Sequence, residues 1–540
     1  MRGVHYTPAP VARFMVEASL GRWLRRGTAW RNPAEVDAVR ILDPACGDGA
    51  FLLAAFDCLL DWHLARARAV GLRVAPGLGR RLAAGLHGVD LDAGALERAA
   101  AALAGRVGAA DGERGAAAAA TLCHGDALLE PAVAGDFDFV LGNPPYVFGE
   151  LLGAHEKRAY QRFDLGRGGQ PDLFKLFFER SFRDFLRPGG THAFLVPDAL
   201  LARDEHADLR AWIARQGTVV RLCHVGRVFP RAGVSSVVVV TEKVPGGDRR
   251  CAVDRWDGDH ATPVHEVAAA SLTGAGGEPW AIWAPPAWHG RDGLRARLEA
   301  AGTLGRLLEP GPPGLTRGEE VGKSALRDCP RPGQAARGHV AIYAGADVQR
   351  HRLAPPRKQA ARRAVVKDAA FYRGPKILVV KTGAGPVAAV AADDLPALQS
   401  VYLLHLLPGT DPDGVVAIVC SALVTVYAWY AWTSGKRLQP QLTLGNVRAL
   451  PFPVRRATPA LLVALGDRVR ALRRDLGRLA RAASGAGSTL AATVRAQERT
   501  IDEEVARWFG LSLDEWLPEL RPALDALPAS QRPRWWPPRP

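Results

Sequence analysis

The sequence predicts an α/β fold whose first half is a parallel, doubly wound sheet. Between residue 38 and about residue 245, short apolar runs alternate with segments of helical character, and this alternation is typical of strand–helix–strand units. Such sheets bind ligands at the carboxyl ends of their strands, so the residues that end each run are the first candidates for a functional site. The predicted strands are "VRILDPA", "LHGVDLD", "TLCHGDA", "FDFVLGN", "THAFLVPD", "VVRLCHVG" and "SSVVVVTEK".

Length and local composition predict the domain organisation. A chain of 540 residues is too long for one hydrophobic core, so two or three domains are expected. Residues 1–245 form the first domain, and residues 246–300, rich in Trp, Pro and Gly, are predicted to be a linker. A second α/β pattern covers residues 301–455. Residues 456–540 are predicted to be helical with a disordered end, although the two tryptophans of that end could dock.

Several classes of protein are excluded by what the sequence lacks. No apolar run reaches the roughly 20 residues of a membrane helix, and the N-terminal residues contain no apolar signal-peptide core. Seven cysteines are scattered without a CxxC spacing, which argues against a disulfide framework and against a zinc site. We therefore expect a cytoplasmic protein with reduced thiols, no bound metal and no membrane partner.

The charge balance favours a nucleic-acid partner. The net charge is +15, from 70 basic and 55 acidic residues, and such an excess attracts polyanions. The alternative is that a biased genome encodes Arg and Ala often, since Arg is far commoner than Lys.

The stretch "ILDPACGDGAFL" is predicted to be a strand, a turn of small residues and the start of a helix. Gly47 and Gly49 let the backbone approach a ligand closely. The spacing is neither the dinucleotide GxGxxG pattern nor a phosphate-binding P-loop. Asp43 and Asp48 place negative charge where a phosphate would lie, so a cationic or neutral ligand is expected.

The next two predicted strands also end in acidic residues. "GVDLD" places Asp90 at a strand tip, where a carboxylate is suited to hold the two hydroxyls of a ribose, and Asp92 is the alternative. "HGDALL" places Asp126 at the third strand tip, where it can accept a hydrogen bond from an adenine amino group. A single acidic residue at a strand end is usually a cap, but three in successive strands indicate a binding site.

The stretch "VLGNPPY" follows a fourth strand and carries the most specific chemistry. The Asn143 amide oxygen and the Pro144 carbonyl can both accept hydrogen bonds from one exocyclic NH2 group, which frees the nitrogen lone pair for attack. Pro144 and Pro145 hold the acceptors rigidly, so little ordering is left for the moment of reaction. Tyr146 offers a flat face on which an aromatic base can stack.

In this order the motifs resemble those of the gamma-class, TaqI-like adenine-N6 DNA methyltransferases of restriction-modification systems. "HYTPAPVARFMV" resembles the first cofactor motif of that family, "DPACGDGAFL" its methionine-binding loop, and "NPPY" its catalytic motif. The segment "VGRVFPRAGVSSVVVV" is similar to the one whose Phe packs on the target base. The resemblance covers most of residues 3–455 and implies a Rossmann-like methyltransferase sheet, a target-recognition domain at 301–455 and C-terminal helices.

The resemblance implies S-adenosylmethionine as the cofactor and assigns residue roles. Thr7 and Asp43 would hold its methionine end, Asp90 its ribose and Asp126 its adenine amino group. Phe229 would stack on the target base opposite Tyr146. The full implied set is Thr7, Asp43, Ala45, Gly47, Gly49, Asp90, Asp126 and Phe177 for the cofactor, and Asn143, Pro144, Pro145, Tyr146 and Phe229 for the base and catalysis.

The implied reaction is methylation of the N6 of an adenine that has left the stack of duplex DNA. Such a chain would act in a restriction-modification or phage-defence system. Whether a separate restriction endonuclease or defence subunit is a partner stays open, because no N-terminal nuclease domain fits the sequence. For DNA contact, the second domain offers basic and amide residues in loop-like stretches: Gln349, Arg350, Arg352, Lys381, Thr382, Lys436, Arg437 and Gln439.

Three alternatives remain. A glutamine methyltransferase acting on a release factor shares "NPPY", but such chains are short and lack the second domain. An RNA adenine methyltransferase would use the same chemistry. A DNA-binding specificity subunit without turnover is a different class, against which the intact stretch from Asn143 to Tyr146 argues.

Overall fold

The structure is a computed structural model that describes residues 7–27, 29–111, 121–130, 135–167, 172–229, 234–246, 249–270, 276–290, 292–311, 314–432, 441–481 and 487–537. The chain folds into two compact units, residues 1–282 and residues 283–540.

The first unit is built on a nine-stranded sheet in the order β3-β2-β1-β4-β5-β7-β6-β8-β9. Each of the predicted apolar runs forms one of its strands. The strands are β1 (Ile41–Asp43), β2 (Leu86–Asp90), β3 (Thr121–His124), β4 (Phe137–Gly142), β5 (Leu186–Pro197), β6 (Thr218–Gly226), β7 (Ser236–Glu242), β8 (Arg250–Trp256) and β9 (Ala261–Ala268).

Neighbouring strands from β3 to β5 are parallel, whereas β7 lies antiparallel to both β5 and β6. The predicted α/β fold is confirmed, but the sheet is mixed rather than wholly parallel. β7 follows β6 through a short connection and inserts between β5 and β6, which reverses its direction. The carboxyl ends of β1, β2, β3 and β4 therefore meet at one edge, and the beginning of β7 lies at the edge where β5 ends.

Helices cover the sheet of the first unit. Apolar side chains of the long helix Ala50–Ala69 are buried, among them Phe51, Phe56 and Trp62. The helices and helical turns of this unit are Ala9–Val16, Glu17–Gly21, Arg22–Leu24, Pro33–Asp37, Ala50–Ala69, Leu78–Ala84, Ala93–Asp111, Gly149–Leu151, Ala154–Tyr160, Asp164–Gly166, Leu173–Arg180, Ser181–Phe185, Asp198–Leu201, Asp204–His206 and Ala207–Gln216.

The expected linker at residues 246–300 is not observed as a linker. β8 pairs in parallel with β6, and β9 pairs antiparallel with β8, so the first half of this segment completes the sheet. Cys251 and Val253 are fully buried in β8. The sequence did not indicate these two strands because only a few of their alternating positions are apolar. The boundary between the units falls after residue 282.

The second unit contains three small sheets. β10 (Leu315–Arg317), β18 (Val401–Leu404), β16 (Lys376–Val380) and β17 (Ala388–Ala391) form a four-stranded sheet in that order. β11 (Leu326–Asp328), β15 (Lys358–Ala361) and β12 (His339–Ile342) form a three-stranded one, and β13 (Val348–Gln349) pairs with β14 (Arg352–Leu353). The core of the four-stranded sheet includes Leu378, Ala389 and Leu403.

The helices of the second unit include Leu294–Ala300, Pro412–Val419, Ala422–Trp432, Leu444–Ala449, Pro459–Leu479, Gly487–Trp508 and Leu513–Ala526, together with short helical turns at Pro286–Trp288, Leu304–Leu307, Lys323–Ala325, Gly345–Asp347, Arg362–Ala364 and Ala369–Phe371. Apolar side chains on both sides of Pro412–Val419 and Ala422–Trp432 are buried. In the described part of the chain no single helix is long and apolar enough to cross a membrane, and only this pair, bent by 54°, meets that criterion together.

The expectation of a disordered C-terminal end is wrong up to residue 537. The Arg534 backbone N–H donates to Glu498 Oε2 at 2.7 Å, and Trp535 Nε1 donates to Asp502 Oδ2 at 2.7 Å. Trp536 is 6% exposed and its Nε1 donates to Asp525 Oδ1. Two buried acidic groups on Gly487–Trp508 and the half-buried Asp525 on Leu513–Ala526 therefore hold this proline-rich segment, which local sequence could not indicate.

Candidate active site

A cavity of about 900 Å³ lies at the carboxyl ends of β1, β2, β3 and β4 in the first unit. It brings together eight of the residues predicted for cofactor or base, which come from distant parts of the sequence. These are Thr7, Ala45, Gly47, Asp90, Asp126, Asn143, Pro145 and Phe177. The size and the apolar lining with a few polar groups are typical of a small-molecule site.

The turn after β1 forms one wall of the cavity through its backbone. Gly47 has φ +49° and Gly49 has φ +82°, both in the left-handed region that favours glycine. A Cβ built on Gly47 meets no described atom within 4 Å, whereas one on Gly49 would lie 3.0 Å from the Ala99 Cβ. Gly49 is thus required by helix packing, and Gly47 leaves space beside the backbone for a ligand.

Asp43 ends β1 and is fully buried. Its Oδ1 accepts a hydrogen bond from the Ala45 backbone N–H at 3.1 Å, while Oδ2 has no hydrogen-bond partner among the described residues. Burial, together with the charge of Asp90, raises the pKa of Asp43 to about 8. A buried carboxyl oxygen that has no hydrogen-bond partner among the described residues is suited to bind a ligand with N–H donors or a positive charge.

Asp90 ends β2 and accepts a hydrogen bond from the glycine turn that follows β1. Its Oδ2 accepts from the Gly47 backbone N–H at 2.8 Å and its Oδ1 from the Asp92 backbone N–H at 2.9 Å. Asp92, the alternative, instead uses Oδ1 to accept from the Ala95 backbone N–H in the first turn of Ala93–Asp111. Asp90 is therefore the better placed of the two carboxylates for a ligand.

Asp126 follows β3 and lines the same cavity. Its Oδ1 accepts hydrogen bonds from the Leu128 and Leu129 backbone N–H groups at 2.8 and 3.3 Å, so the carboxylate also caps the turn that carries it. Phe177 lies opposite on the helix Leu173–Arg180 and is 7% exposed. An acidic group and an aromatic ring are thus present together, as an adenine ring requires.

The stretch from Asn143 to Tyr146 leaves β4 beside the turn after β1. A Cβ built on Gly142 would lie 3.0 Å from Asp43 Oδ1, which explains why a glycine ends this strand. Asn143 and Pro145 line the cavity. Tyr146, 8% exposed, lies with its ring centroid 6.3 Å from that of Phe229, the planes inclined at 77°.

The structure also places at this edge residues that sequence reasoning missed. The segment after "NPPY" closes over the cavity through Val147, Leu151 and Leu152, and Arg13 contributes from the first helix. The apolar run "VFGELL" was a signal for the first three. Asp198 lies close enough to Tyr146 to act on it electrostatically, and His224 contacts Asp198, but neither has a motif that could have indicated it.

The predicted DNA contacts of the second unit are only partly accessible. Arg350 is 2% exposed and its Nε donates to Glu498 Oε1 at 2.5 Å, so its prediction as a DNA-contact residue is wrong. The loop between β13 and β14 turns inward, which composition could not show. Lys381 is half-buried and Thr382 is exposed. Lys436, Arg437 and Gln439 lie outside the described residues.

Comparison with known proteins agrees with this arrangement. Residues 86–229 match the family model of the Eco57I restriction-modification methylase. The Type II methyltransferase M.TthHB8I of Thermus thermophilus is 34% identical over 234 residues, covering 42% of this chain and 44% of the relative. The Type II methyltransferase M.PaeR7I of Pseudomonas aeruginosa is 29% identical over 219 residues, covering 40% of this chain and 35% of the relative. The matches thus span less than half of these curated relatives.

Solved structures extend the similarity in fold to most of the chain. The Type IIL restriction-modification enzyme MmeI in complex with DNA matches with a TM-score of 0.60 at 10% identity, over 89% of this chain and 71% of that one. The ATP-dependent Type ISP enzyme LlaBIII bound to DNA matches with a TM-score of 0.52 at 11% identity, over 88% of this chain and 39% of that one. The predicted resemblance to restriction-modification methyltransferases is confirmed.

Proposed function

We propose that the chain is a DNA methyltransferase that transfers a methyl group from S-adenosylmethionine to the N6 of an adenine turned out of duplex DNA. The observation that carries the proposal is that Asn143 and Pro145 lie at the wall of the same cavity as Asp90 and Asp126. One side of that wall suits a nucleoside-bearing cofactor, and the "NPPY" residues suit an exocyclic amine. The similarity to Type II methyltransferases supports duplex DNA as the substrate.

The residues of the cavity fit S-adenosylmethionine, which supplies an electrophilic methyl group when bound. Oδ2 of Asp43, which has no hydrogen-bond partner among the described residues, suits the ammonium group of the methionine end. Asp43 directly precedes Pro44 and Ala45 of the cavity wall, which Thr7 also lines. The open space beside Gly47 lets the cofactor lie against the backbone. Asp90 would accept from the ribose hydroxyls, and Asp126 with Phe177 would hold the adenine ring.

The "NPPY" residues would act on the target base. The Asn143 side-chain oxygen and the Pro144 carbonyl accept hydrogen bonds from N6, which raises the electron density of the attacking nitrogen. Tyr146 and Phe229 would flank the base and recover part of the few kcal/mol that unstacking costs.

The second unit would bind the duplex through its outer surface. Residues 321–373 contain twelve Lys and Arg against three Asp, and they include the three-stranded sheet of β11, β15 and β12. We call its exposed cations the basic surface: Lys323, Arg327, Arg331, Arg337, Arg357, Arg362, Arg363 and Arg373. Exposed guanidinium groups bind phosphates without reading sequence, so this unit is also proposed to contact base edges and select the site.

The proposal is tested by sequencing DNA from cells that express the chain, with a readout of N6-methyladenine. Wild-type protein should modify one short sequence throughout the genome. Asn143→Ala should lower turnover by at least ~10²-fold, the typical loss for one oriented contact in the transition state, and should leave cofactor binding by calorimetry unchanged. Asn32→Ala, which removes an exposed helix cap, is the matched control and should remain active.

The same experiment separates the alternatives. N6-methyladenine in RNA but not in DNA would favour an RNA methyltransferase. Cofactor and duplex binding without any methylated nucleic acid would favour a specificity subunit. Retention by Asn143→Ala of more than about a tenth of the wild-type turnover would contradict the two-acceptor chemistry.

A further inference from the structure

The two aromatic rings of the proposed base site are carried by strands that do not touch. Tyr146 follows β4 and Phe229 follows β6, and both β5 and β7 lie between those strands in the sheet. Backbone hydrogen bonds between strands therefore do not by themselves fix the relative position of the two rings. That position depends on the contacts that join the ends of these four strands. That position matters, because a misplacement of about 1 Å in a reacting group costs ~10²-fold in rate.

The strand ends converge on Ser236, the first residue of β7. In the sheet register it is opposite Pro197 of β5 on one side and opposite Gly226 of β6 on the other. Ser236 is fully buried, and its Oγ lies 3.5 Å from the Tyr146 hydroxyl, which donates to it. The ring of Tyr146 is thus tied to the beginning of β7.

A pair formed by the buried Asp198 and the half-buried His224 completes the connection. Asp198 follows β5 directly and is 2% exposed; its backbone N–H donates to the Ser235 carbonyl at 2.9 Å. Asp198 Oδ2 lies 3.1 Å from Nε2 of His224 on β6. Ser235 Oγ lies 3.4 Å from the same Nε2. The pair therefore spans from β5 to β6 across the beginning of β7.

We infer that Asp198 and His224 are positioning residues of the methyl-transfer site, which hold the Tyr146 and Phe229 rings in the edge-to-face arrangement, with centroids 6.3 Å apart, against which the flipped base would lie. The inference rests on the proposed function. Asp198 also acts on Tyr146 electrostatically, since its charge adds to the burial that raises the pKa of the Tyr146 hydroxyl and so helps to keep that hydroxyl protonated as a donor to Ser236. His224 stands five residues before Phe229, where its ring fixes the end of the strand that leads to that side chain.

The test uses the full chain and a duplex containing the methylated sequence found by sequencing, with 2-aminopurine in place of the target adenine. In the wild-type protein, 2-aminopurine fluorescence should report the base held in the site. His224→Ala should lower the single-turnover methylation rate on the normal duplex by 10- to 100-fold and change that fluorescence. Binding of S-adenosylmethionine by calorimetry should stay within about twofold.

Conservative variants and a matched control separate positioning from folding. His224→Gln and Asp198→Asn, which keep a hydrogen-bonding group, should recover most of the rate lost in His224→Ala and Asp198→Ala. Asp254→Asn is the control. Asp254 on β8 is as buried as Asp198, and it binds Arg221, which lies on β6, the strand that carries His224. Asp254→Asn should lower the melting temperature without changing the fluorescence.

The possible failures are distinguishable. If wild-type protein methylates no DNA, the proposed function fails. If wild-type protein is active and His224→Ala keeps more than half of the rate with unchanged fluorescence, the positioning role alone is wrong. An equal loss of rate in Asp254→Asn would likewise overturn it, because the effect would then be one of general stability.

Discussion

Asp43 in the first unit and Glu498 in the second are two buried carboxyl groups with opposite surroundings. In the first unit Asp43 is fully buried with one oxygen lacking a described partner, and burial raises its pKa to about 8. In the second unit Glu498 is equally buried, but Arg350 binds it and Arg534 lies 3.3 Å away. There burial opposes ionisation, yet Arg350, His351 and Arg534 together hold the pKa of Glu498 below its usual value.

The difference separates a binding site from a structural network. A buried carboxyl group without a partner costs stability, and folds retain such a group mainly where a ligand completes it. A buried carboxylate with complete partners fixes the packing of the elements that supply them, whatever its net contribution to stability. The four experiments below probe this contrast, beginning with the largest expected effect.

Breaking the structural network should have the largest effect. Glu498→Gln leaves Arg350 buried with the weaker partner Asp502, 3.6 Å away, and should lower the free energy of unfolding by about 3–5 kcal/mol. Chemical denaturation followed by tryptophan fluorescence measures it. Glu503→Gln on the same helix removes a half-exposed pair with Arg499 and should cost less than about 1 kcal/mol. Equal losses would show that the network is no more important than a surface pair.

Removing a ligand-facing carboxylate should affect binding rather than folding. Asp90→Ala should weaken S-adenosylmethionine by about 1.5–3 kcal/mol, the typical contribution of a hydrogen bond to a charged group, as measured by calorimetry. Asp92→Asn, which keeps the helix cap, should bind normally. If Asp92→Asn loses affinity and Asp90→Ala does not, the ribose is held by the second carboxylate.

The raised pKa of Asp43 predicts a pH dependence of cofactor binding. In the unfolded chain this carboxyl titrates near pH 4, and in the folded, ligand-free protein near pH 8. The folded protein therefore keeps a proton that the unfolded chain has lost, so the free energy of unfolding falls as pH rises from about 4 to 8. This proton must leave before the carboxyl group can hold an ammonium ion. Affinity should rise by up to about tenfold per pH unit between pH 6 and 8 and then level off. Asp43→Asn should remove the slope, and a flat wild-type profile would contradict the assignment.

Charge removal on the basic surface should have the smallest effect. Arg362→Ala with Arg363→Ala should reduce the slope of log affinity for duplex DNA against log salt by about 2, because each lost phosphate contact removes roughly 0.9. Arg68→Ala with Arg73→Ala removes two exposed charges from the first unit and is the matched control. A similar change in both double variants would mean that net charge, and not this surface, attracts DNA.

The sequence by itself determined the first seven strands of the first unit and the residues at their ends. Short apolar runs that alternate with helical segments and are bounded by turn residues are typical of buried strands. Since parallel strands align their carboxyl ends, Asp90, Asp126 and Asn143 had to meet at one edge. The glycine turn was equally predictable, because Gly47 and Gly49 adopt a left-handed backbone that other residues rarely do.

Only the tertiary structure decided which loops turn inward and which polar groups meet across strands. In the sequence Arg350 is indistinguishable from other loop arginines. The carboxylates that pair with it in the core, Glu498 and Asp502, lie about 150 residues later on the helix Gly487–Trp508. The pairing of β8 with β6, and the meeting of Asp198 with His224, depend on β7 inserting between strands that precede it. Local propensity carries no information about such long-range contacts, because they are set by packing of the whole unit.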